Sequence, residues 1–211
     1  MNLTPLARLR DEFTIGMNHL DLMGLDWDPD WWMLADANLI IETNWDFDAL
    51  FAKKSMFMVR KALKRPLVDR FPDLIYMDIC EHIGGEYNPT EWHLPTLCTW
   101  GGGMMWAIQL ALTLRHNPIY LLGCDLYKYR GPNEGDVNHF HEDYSGFRTM
   151  PDGSEKNGPE VWENLNRANI GAFELAKREC EKAGVQIYNA TVGGKLEVFE
   201  RVDIWDLLSG K

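Results

Sequence analysis

Short apolar runs alternate with amphipathic stretches along most of this chain. The apolar runs predict strands over 13–17, 31–35, 55–59, 74–79, 119–122 and 185–188. Helical spacing predicts helices over 3–11, 45–54, 104–116 and 202–208, and a long one from about Pro159 to Ala183 that Gly184 closes. Because no hairpin signal joins the strands, this order favours an α/β fold with a doubly wound, mainly parallel sheet.

The opening of the chain differs from that pattern. Doubly wound nucleotide-binding folds usually begin with a strand and a glycine-rich turn, whereas this sequence opens on a predicted helix. Either the domain is delimited differently, or the chain begins one strand late. The 211 residues contain no repeat or low-complexity tract, and we expect a single domain over 1–211.

The stretch from Thr99 to Asp125 is the main candidate for a ligand-binding segment. Three glycines precede a helix, Asn117-Pro118 ends that helix, and a buried strand leads to Asp125. Glycines let a ligand approach the backbone, and a helix N-terminus presents unpaired N–H groups to an anion. Ligands of parallel sheets sit beyond the carboxyl ends of the strands, where Asp125 must lie. An ordinary α/β unit whose glycines only permit tight packing remains the alternative.

Composition narrows the choice of partners. The formal net charge is −11, which argues against a nucleic-acid surface and against an anionic membrane. No apolar run is long enough to span a bilayer, and no signal peptide opens the chain. Four scattered cysteines form no C-x-x-C pair, which suggests a reducing compartment. We therefore expect a cytoplasmic protein without an integral membrane segment, and a homo-oligomer is left open.

A stretch at about 126–158 has little periodicity and suits a lid over a site. Within it, Asn138 to Tyr144 gathers two histidines, His139 and His141, with two carboxylates. Histidine exchanges protons near neutral pH, so a general base fits here better than a zinc site, for which Cys80 and His82 would be the remaining ligands. A solvated loop without a role is the plain alternative.

Two further motifs have structural explanations. Asp26, Asp28 and Asp30 alternate as two D-x-D pairs, a pattern that can hold a divalent cation. They precede a predicted strand instead of ending one, so we assign them to turns and caps and predict no metal. The glycosylation sequon at 189–191 is interpreted as a strand-end turn.

Several of these segments together resemble a known family. TWGGGMMWAIQLAL at 99–112, NPIYLLGCDLY at 117–127, NHF at 138–140 and VQIYNAT at 185–191 look like the bacterial sialyltransferases of glycosyltransferase family 42. They are also similar to a wider group that includes a 6-hydroxymethylpterin pyrophosphokinase. The resemblance implies a Rossmann-like fold, a nucleotide-sugar donor and transfer without a metal.

The resemblance also implies roles for particular residues. His139 matches the region of the catalytic base, with His141 as the fallback, and Tyr127 matches a tyrosine that contacts the donor phosphate. The implied donor-binding residues are Asn18, Asp36, Thr99, Gly101, Gly102, Gly103, Asp125 and Tyr129. The family's opening strand and its Gly-Pro-Ser-type turn have no counterpart here.

The leading hypothesis is a metal-independent transferase that moves a sugar from a nucleotide sugar, with CMP-sialic acid as the first donor to try, to a glycan or other hydroxyl acceptor. It needs no cofactor, because a histidine can deprotonate the acceptor while tyrosine hydroxyls and helix N–H groups stabilise the leaving phosphate. Two alternatives stay open: diphosphate transfer from ATP to a pterin alcohol, and a catalytically degenerate nucleotide-binding or assembly module.

Overall fold

A computed structural model describes residues 5–35, 45–60, 67–80, 96–98, 102–126 and 159–209. The chain divides into two compact units. The N-terminal unit covers Leu6–Thr113, and the C-terminal unit covers Leu114–Lys211 together with Met1–Pro5. Each is described by itself below, and a single domain over 1–211 stays a prediction.

The N-terminal unit is built on a parallel sheet. Five strands lie in sequence order: β1 Ile15–Met17, β2 Trp31–Leu34, β3 Met56–Arg60, β4 Ile75–Cys80 and β5 Thr96–Cys98. The α-helices described in this unit are α1 Phe47–Phe51 and α2 Met104–Thr113, and two 3₁₀ helices cover Leu6–Leu9 and Leu20–Met23. All carboxyl ends of the strands therefore meet at one edge of the sheet.

Both faces of this sheet are covered by apolar side chains. Alternate residues of β2 point to opposite faces, so Trp32 and Leu34 enter one buried cluster while Met33 and the following Ala35 enter another. Leu50 of α1 belongs to the first cluster. The second cluster receives its helical residues from α2: Trp106, Ala107 and Leu110. The near-continuous apolar character of the strands follows from this burial on both sides.

The C-terminal unit contains a smaller parallel sheet of three strands, β6 Ile119–Leu121, β7 Ile187–Asn189 and β8 Glu200–Arg201, in that order. Its helices are α3 Pro159–Lys182 and α4 Ile204–Ser209. The buried apolar residues of α3 recur at helical spacing: Ala172, Phe173, Leu175, Ala176 and Cys180. The Phe173 ring meets Phe199 edge-on, with 5.7 Å between centroids.

Gly184 ends α3 as predicted. Its φ is 72°, its N–H donates to Glu181 O at 3.1 Å, and Val185 N–H donates to Cys180 O at 2.8 Å. These two bonds form a Schellman motif, which needs the left-handed backbone that glycine adopts without strain.

The α/β class with parallel strands is confirmed, and the doubly wound arrangement stays a prediction. Two strands were not predicted, β5 and β8, because their sequences, Thr-Leu-Cys and Glu-Arg, are not continuous apolar runs. In its described part, the helix predicted over 3–11 is a four-residue 3₁₀ helix, Leu6–Leu9.

Candidate functional site

Asn18 occupies the carboxyl end of β1 in a left-handed conformation, with φ of 45°. Its N–H donates to Met33 O at 2.9 Å, and its side-chain Oδ1 accepts the N–H of Ala35 at 3.1 Å. Asparagine tolerates positive φ better than most residues. Through these two bonds, Asn18 joins the carboxyl ends of β1 and β2.

The glycine turn before α2 lies against the same edge. Gly102 has φ of 88°, and a Cβ added to Gly103 would lie 3.0 Å from Ala35 Cβ and 2.5 Å from Met17 Cε. Because Met17 precedes Asn18 and Ala35 bonds to it, the N-terminus of α2 and the Asn18 amide share one corner of the unit. We call this corner the β1/α2 edge; it consists of Asn18, Ala35, Gly102 and Gly103.

A histidine beside this edge was not predicted. His19 is 5% exposed, and its Nε2 lies 2.5 Å from Trp45 Nε1. An indole nitrogen only donates, so Nε2 must accept, and the ring proton sits on Nδ1, 3.3 Å from Asp21 Oδ1. The rings of His19 and Trp45 are also in contact, with 4.1 Å between centroids. This chain of bonds fixes the segment that follows Asn18.

Asp125 lies in the C-terminal unit, past the end of β6. Its carbonyl oxygen accepts the N–H of Lys195 at 3.0 Å. Gly194, with φ of 76°, is so close that an added Cβ would lie 2.8 Å from the Cα of Asp125. The loop at Gly194 and Lys195 thus holds the backbone of Asp125 through direct contact.

The sequon residues form a buried strand-end turn, as predicted. Asn189 is 0% exposed; its Nδ2 donates to Leu196 O at 2.8 Å, and its Oδ1 accepts Thr191 N–H at 3.0 Å. The Thr191 hydroxyl accepts Cys124 N–H at 2.9 Å, which connects the ends of β6 and β7. A fully buried asparagine with both amide atoms bonded is not accessible to glycosylation in the folded chain.

Two thiols of the C-terminal unit are buried and inert. Burial, together with the neighbouring Asp125 carboxylate, raises the pKa of Cys124 to about 12. Burial, followed by Glu179 and Glu181, raises the pKa of Cys180 to about 12. Neither thiol forms the thiolate that nucleophilic catalysis requires near neutral pH.

Each of the alternating aspartates has a structural partner. Asp26 forms an ion pair with Arg10. Asp28 accepts from Lys53 Nζ at 3.1 Å and from Lys54 N–H at 3.2 Å, and Asp30 accepts Thr14 N–H at 2.8 Å. These contacts agree with the predicted structural role. Within the described ranges, no group of three histidine, cysteine or carboxylate side chains is arranged to hold a metal ion.

The structure thus brings together some of the predicted site residues: Asn18, Gly102 and Gly103 share the N-terminal unit, and Asp125 belongs to the other. The remaining ones lie outside the described residues: Asp36, Thr99, Gly101, Tyr127, Tyr129 and His139, with His141 and the predicted lid after Leu126. Their roles stay predictions.

Comparison with known proteins finds no relative of this chain. No family model, curated protein or solved structure matches the chain. Among the described residues, no helix has the length and apolar character needed to cross a membrane.

Proposed function

We propose that this protein binds a nucleotide sugar at the β1/α2 edge, within a doubly wound Rossmann-like fold, and transfers the sugar to a hydroxyl acceptor in the cytoplasm without a metal. One observation supports the proposal above the others. The glycine turn at the start of α2 lies against Ala35, whose N–H is bonded to the Asn18 side chain at 3.1 Å. A helix N-terminus and a polar amide therefore converge at the carboxyl ends of parallel strands.

Each part has a chemical task in the proposed reaction. The first turn of α2 would hold the donor phosphate through backbone N–H groups and the positive end of the helix dipole. The Asn18 amide would contact the nucleotide. His139 would take the proton of the acceptor hydroxyl while that oxygen bonds to the anomeric carbon, and the nucleotide leaves with its phosphate as the old bond breaks. With CMP-sialic acid as donor, the leaving group is CMP.

The Asn18→Asp variant tests the donor site. An aspartate keeps an oxygen for the Ala35 N–H and tolerates the left-handed backbone, so we expect the fold to persist. It loses the amide donor and adds a negative charge beside the proposed phosphate. We expect calorimetric titration with CMP and CMP-sialic acid to show affinity at least roughly tenfold weaker than wild type.

Asn117→Asp provides the matched control. Asn117 is exposed, and its Oδ1 likewise accepts a backbone N–H, that of Gln186 at 3.0 Å. The same charge change there should leave nucleotide affinity within experimental error. Equal weakening in both variants would point to net charge, not to a site at Asn18.

The ligand panel separates the alternatives. We expect CMP and CMP-sialic acid to raise the melting temperature equally with and without EDTA; a hundredfold excess over Kd contributes about 2.7 kcal/mol. Stabilisation by ATP only with magnesium would favour diphosphate transfer to a pterin alcohol instead. Nucleotide binding without turnover would favour the degenerate module, and no binding to any nucleotide would refute the proposed site.

A further inference from the structure

Several buried donors of the N-terminal unit have no acceptor in the part of the chain that the structure describes, among them Trp27 Nε1, Ser55 Oγ and Trp106 Nε1; of the two indoles, only that of Trp106 belongs to a fully buried side chain. Trp106 is 0% exposed, and no polar atom accepts its indole Nε1–H. Two other indoles of this unit do have acceptors: Trp32 Nε1 donates to Asn18 O at 2.8 Å, and Trp45 Nε1 donates to His19. An indole N–H buried without a partner is costly, so its presence calls for an explanation.

The position of Trp106 connects it with the glycine turn. It lies in the first turn of α2, and its backbone N–H donates to Gly103 O at 2.9 Å. Long side chains of a helix lean toward its N-terminus and cover the preceding turn. The Trp106 indole also belongs to the buried cluster that contains Ala35, the residue against which Gly103 lies.

We propose that the Trp106 indole donates to an anionic oxygen bound at the N-terminus of α2. This inference rests on the proposed function and names a further donor for the nucleotide phosphate. No carbonyl of α2 can accept the N–H groups of Gly103 and Met104, because they precede the first complete turn. A phosphate oxygen held there is a charged acceptor, which forms a stronger hydrogen bond than a neutral one.

A buried water is the weaker explanation. An internal water needs two to four polar partners, whereas the neighbours of Trp106 in its cluster are apolar: Met33, Met58, Met77, Ala107 and Leu110. An anion at the helix N-terminus already has its other donors in the backbone. It therefore requires nothing further from the apolar cluster.

The first test compares two Trp→Phe variants that remove the same atoms. Both variants leave a comparable cavity, but Trp106→Phe removes a donor without an acceptor, so its ligand-free urea midpoint should fall less than that of Trp32→Phe. Trp32→Phe breaks the bond to Asn18 O, so its midpoint should fall clearly. In calorimetric titration with CMP, we expect Trp106→Phe to bind about tenfold more weakly or worse. Unchanged affinity, or a midpoint as low as that of Trp32→Phe, would overturn the inference.

A second measurement uses the wild-type protein. The chain has nine tryptophans, and ¹⁵N-labelled indole groups report each N–H separately in NMR spectra. With the Trp106 signal assigned by triple-resonance spectra, CMP should move it downfield by more than the signal of Trp32. A Trp106 signal that stays in place while CMP binds would overturn the inference and leave the proposed function intact. Failure of the wild type to bind CMP or any other nucleotide would overturn both.

Discussion

Asn189 and Asn117 each make two hydrogen bonds of the same kind through their side-chain amides. The Asn189 side chain is buried, whereas Asn117 is exposed. Asn189 donates from Nδ2 to Leu196 O and accepts Thr191 N–H at Oδ1. Asn117 donates from Nδ2 to Gly184 O and accepts Gln186 N–H at Oδ1. Both lie in the C-terminal unit, so the unfolding of one unit reports both substitutions. The pair isolates the contribution of burial.

We expect Asn189→Ala to lower the free energy of unfolding far more than Asn117→Ala. The first variant leaves a buried N–H and a buried carbonyl without partners, and each such group costs about 1–3 kcal/mol. The expected loss is therefore about 2–6 kcal/mol. At Asn117, water takes over both bonds, and the expected loss is about 1 kcal/mol.

Urea unfolding measures the difference through the shift of the midpoint at constant slope. Asn189→Asp is the stricter variant, because it keeps the acceptor for Thr191 N–H but removes the donor to Leu196 O and buries a carboxylate. Its loss should equal or exceed that of Asn189→Ala. Equal losses for Asn189→Ala and Asn117→Ala would refute the argument, since the bonds would then be worth the same in both places.

Two further predictions concern packing and pH. Gly103→Ala should lower the free energy of unfolding by about 1 kcal/mol, and Gly103→Val by more, because the added Cβ lies 3.0 Å from Ala35 Cβ. At Gly184, φ is 72° and no atom lies within 4 Å, so alanine should already cause most of the loss that valine causes. Urea unfolding that shows the opposite dependence on side-chain size at the two sites would contradict this. The thiol pKa values of Cys124 and Cys180 rise from 9.0 to about 12 on folding, so the unfolded chain loses these protons first as the pH rises. The free energy of unfolding should therefore be highest below pH 9 and fall between pH 9 and 12, by about 1.4 kcal/mol per thiol at pH 10. Replacing both cysteines by alanine should flatten this part of the pH profile, and an unchanged slope would contradict the assignment.

The sequence predicted those elements that stand out as an apolar run or as a sustained helical spacing. β2 and β3 are apolar on both faces, and the helical spacing of α3 continues over its 24 residues. The strand-end turn at Asn189 was predicted from the position of the sequon after an apolar run, and the structure confirms it.

Contacts between residues far apart in the chain could not be predicted from the apolar pattern. His19 and Trp45 are 26 residues apart, and neither lies in a recognisable motif. Their bond depends on where the sheet brings the end of β1 relative to the residue before α1, and a single sequence gives no information on that. The same holds for Asn18, whose role in joining β1 to β2 depends on the register of Met17 beside Met33.

The glycine turn supports packing and binding at once, and this decides which experiments are informative. Gly103 has no space for a Cβ beside Ala35, and Gly102 has a φ of 88° that a side chain would strain. A valine at either position would therefore disturb the ligand-free protein, and lost nucleotide binding would not identify a site. Side chains that reach the edge without forming the turn give the cleaner test. Asn18→Asp keeps its bond to Ala35, and Trp106→Phe breaks no hydrogen bond of the described chain, so a loss of affinity is attributable to the ligand in either variant when its ligand-free urea midpoint shows that the fold persists.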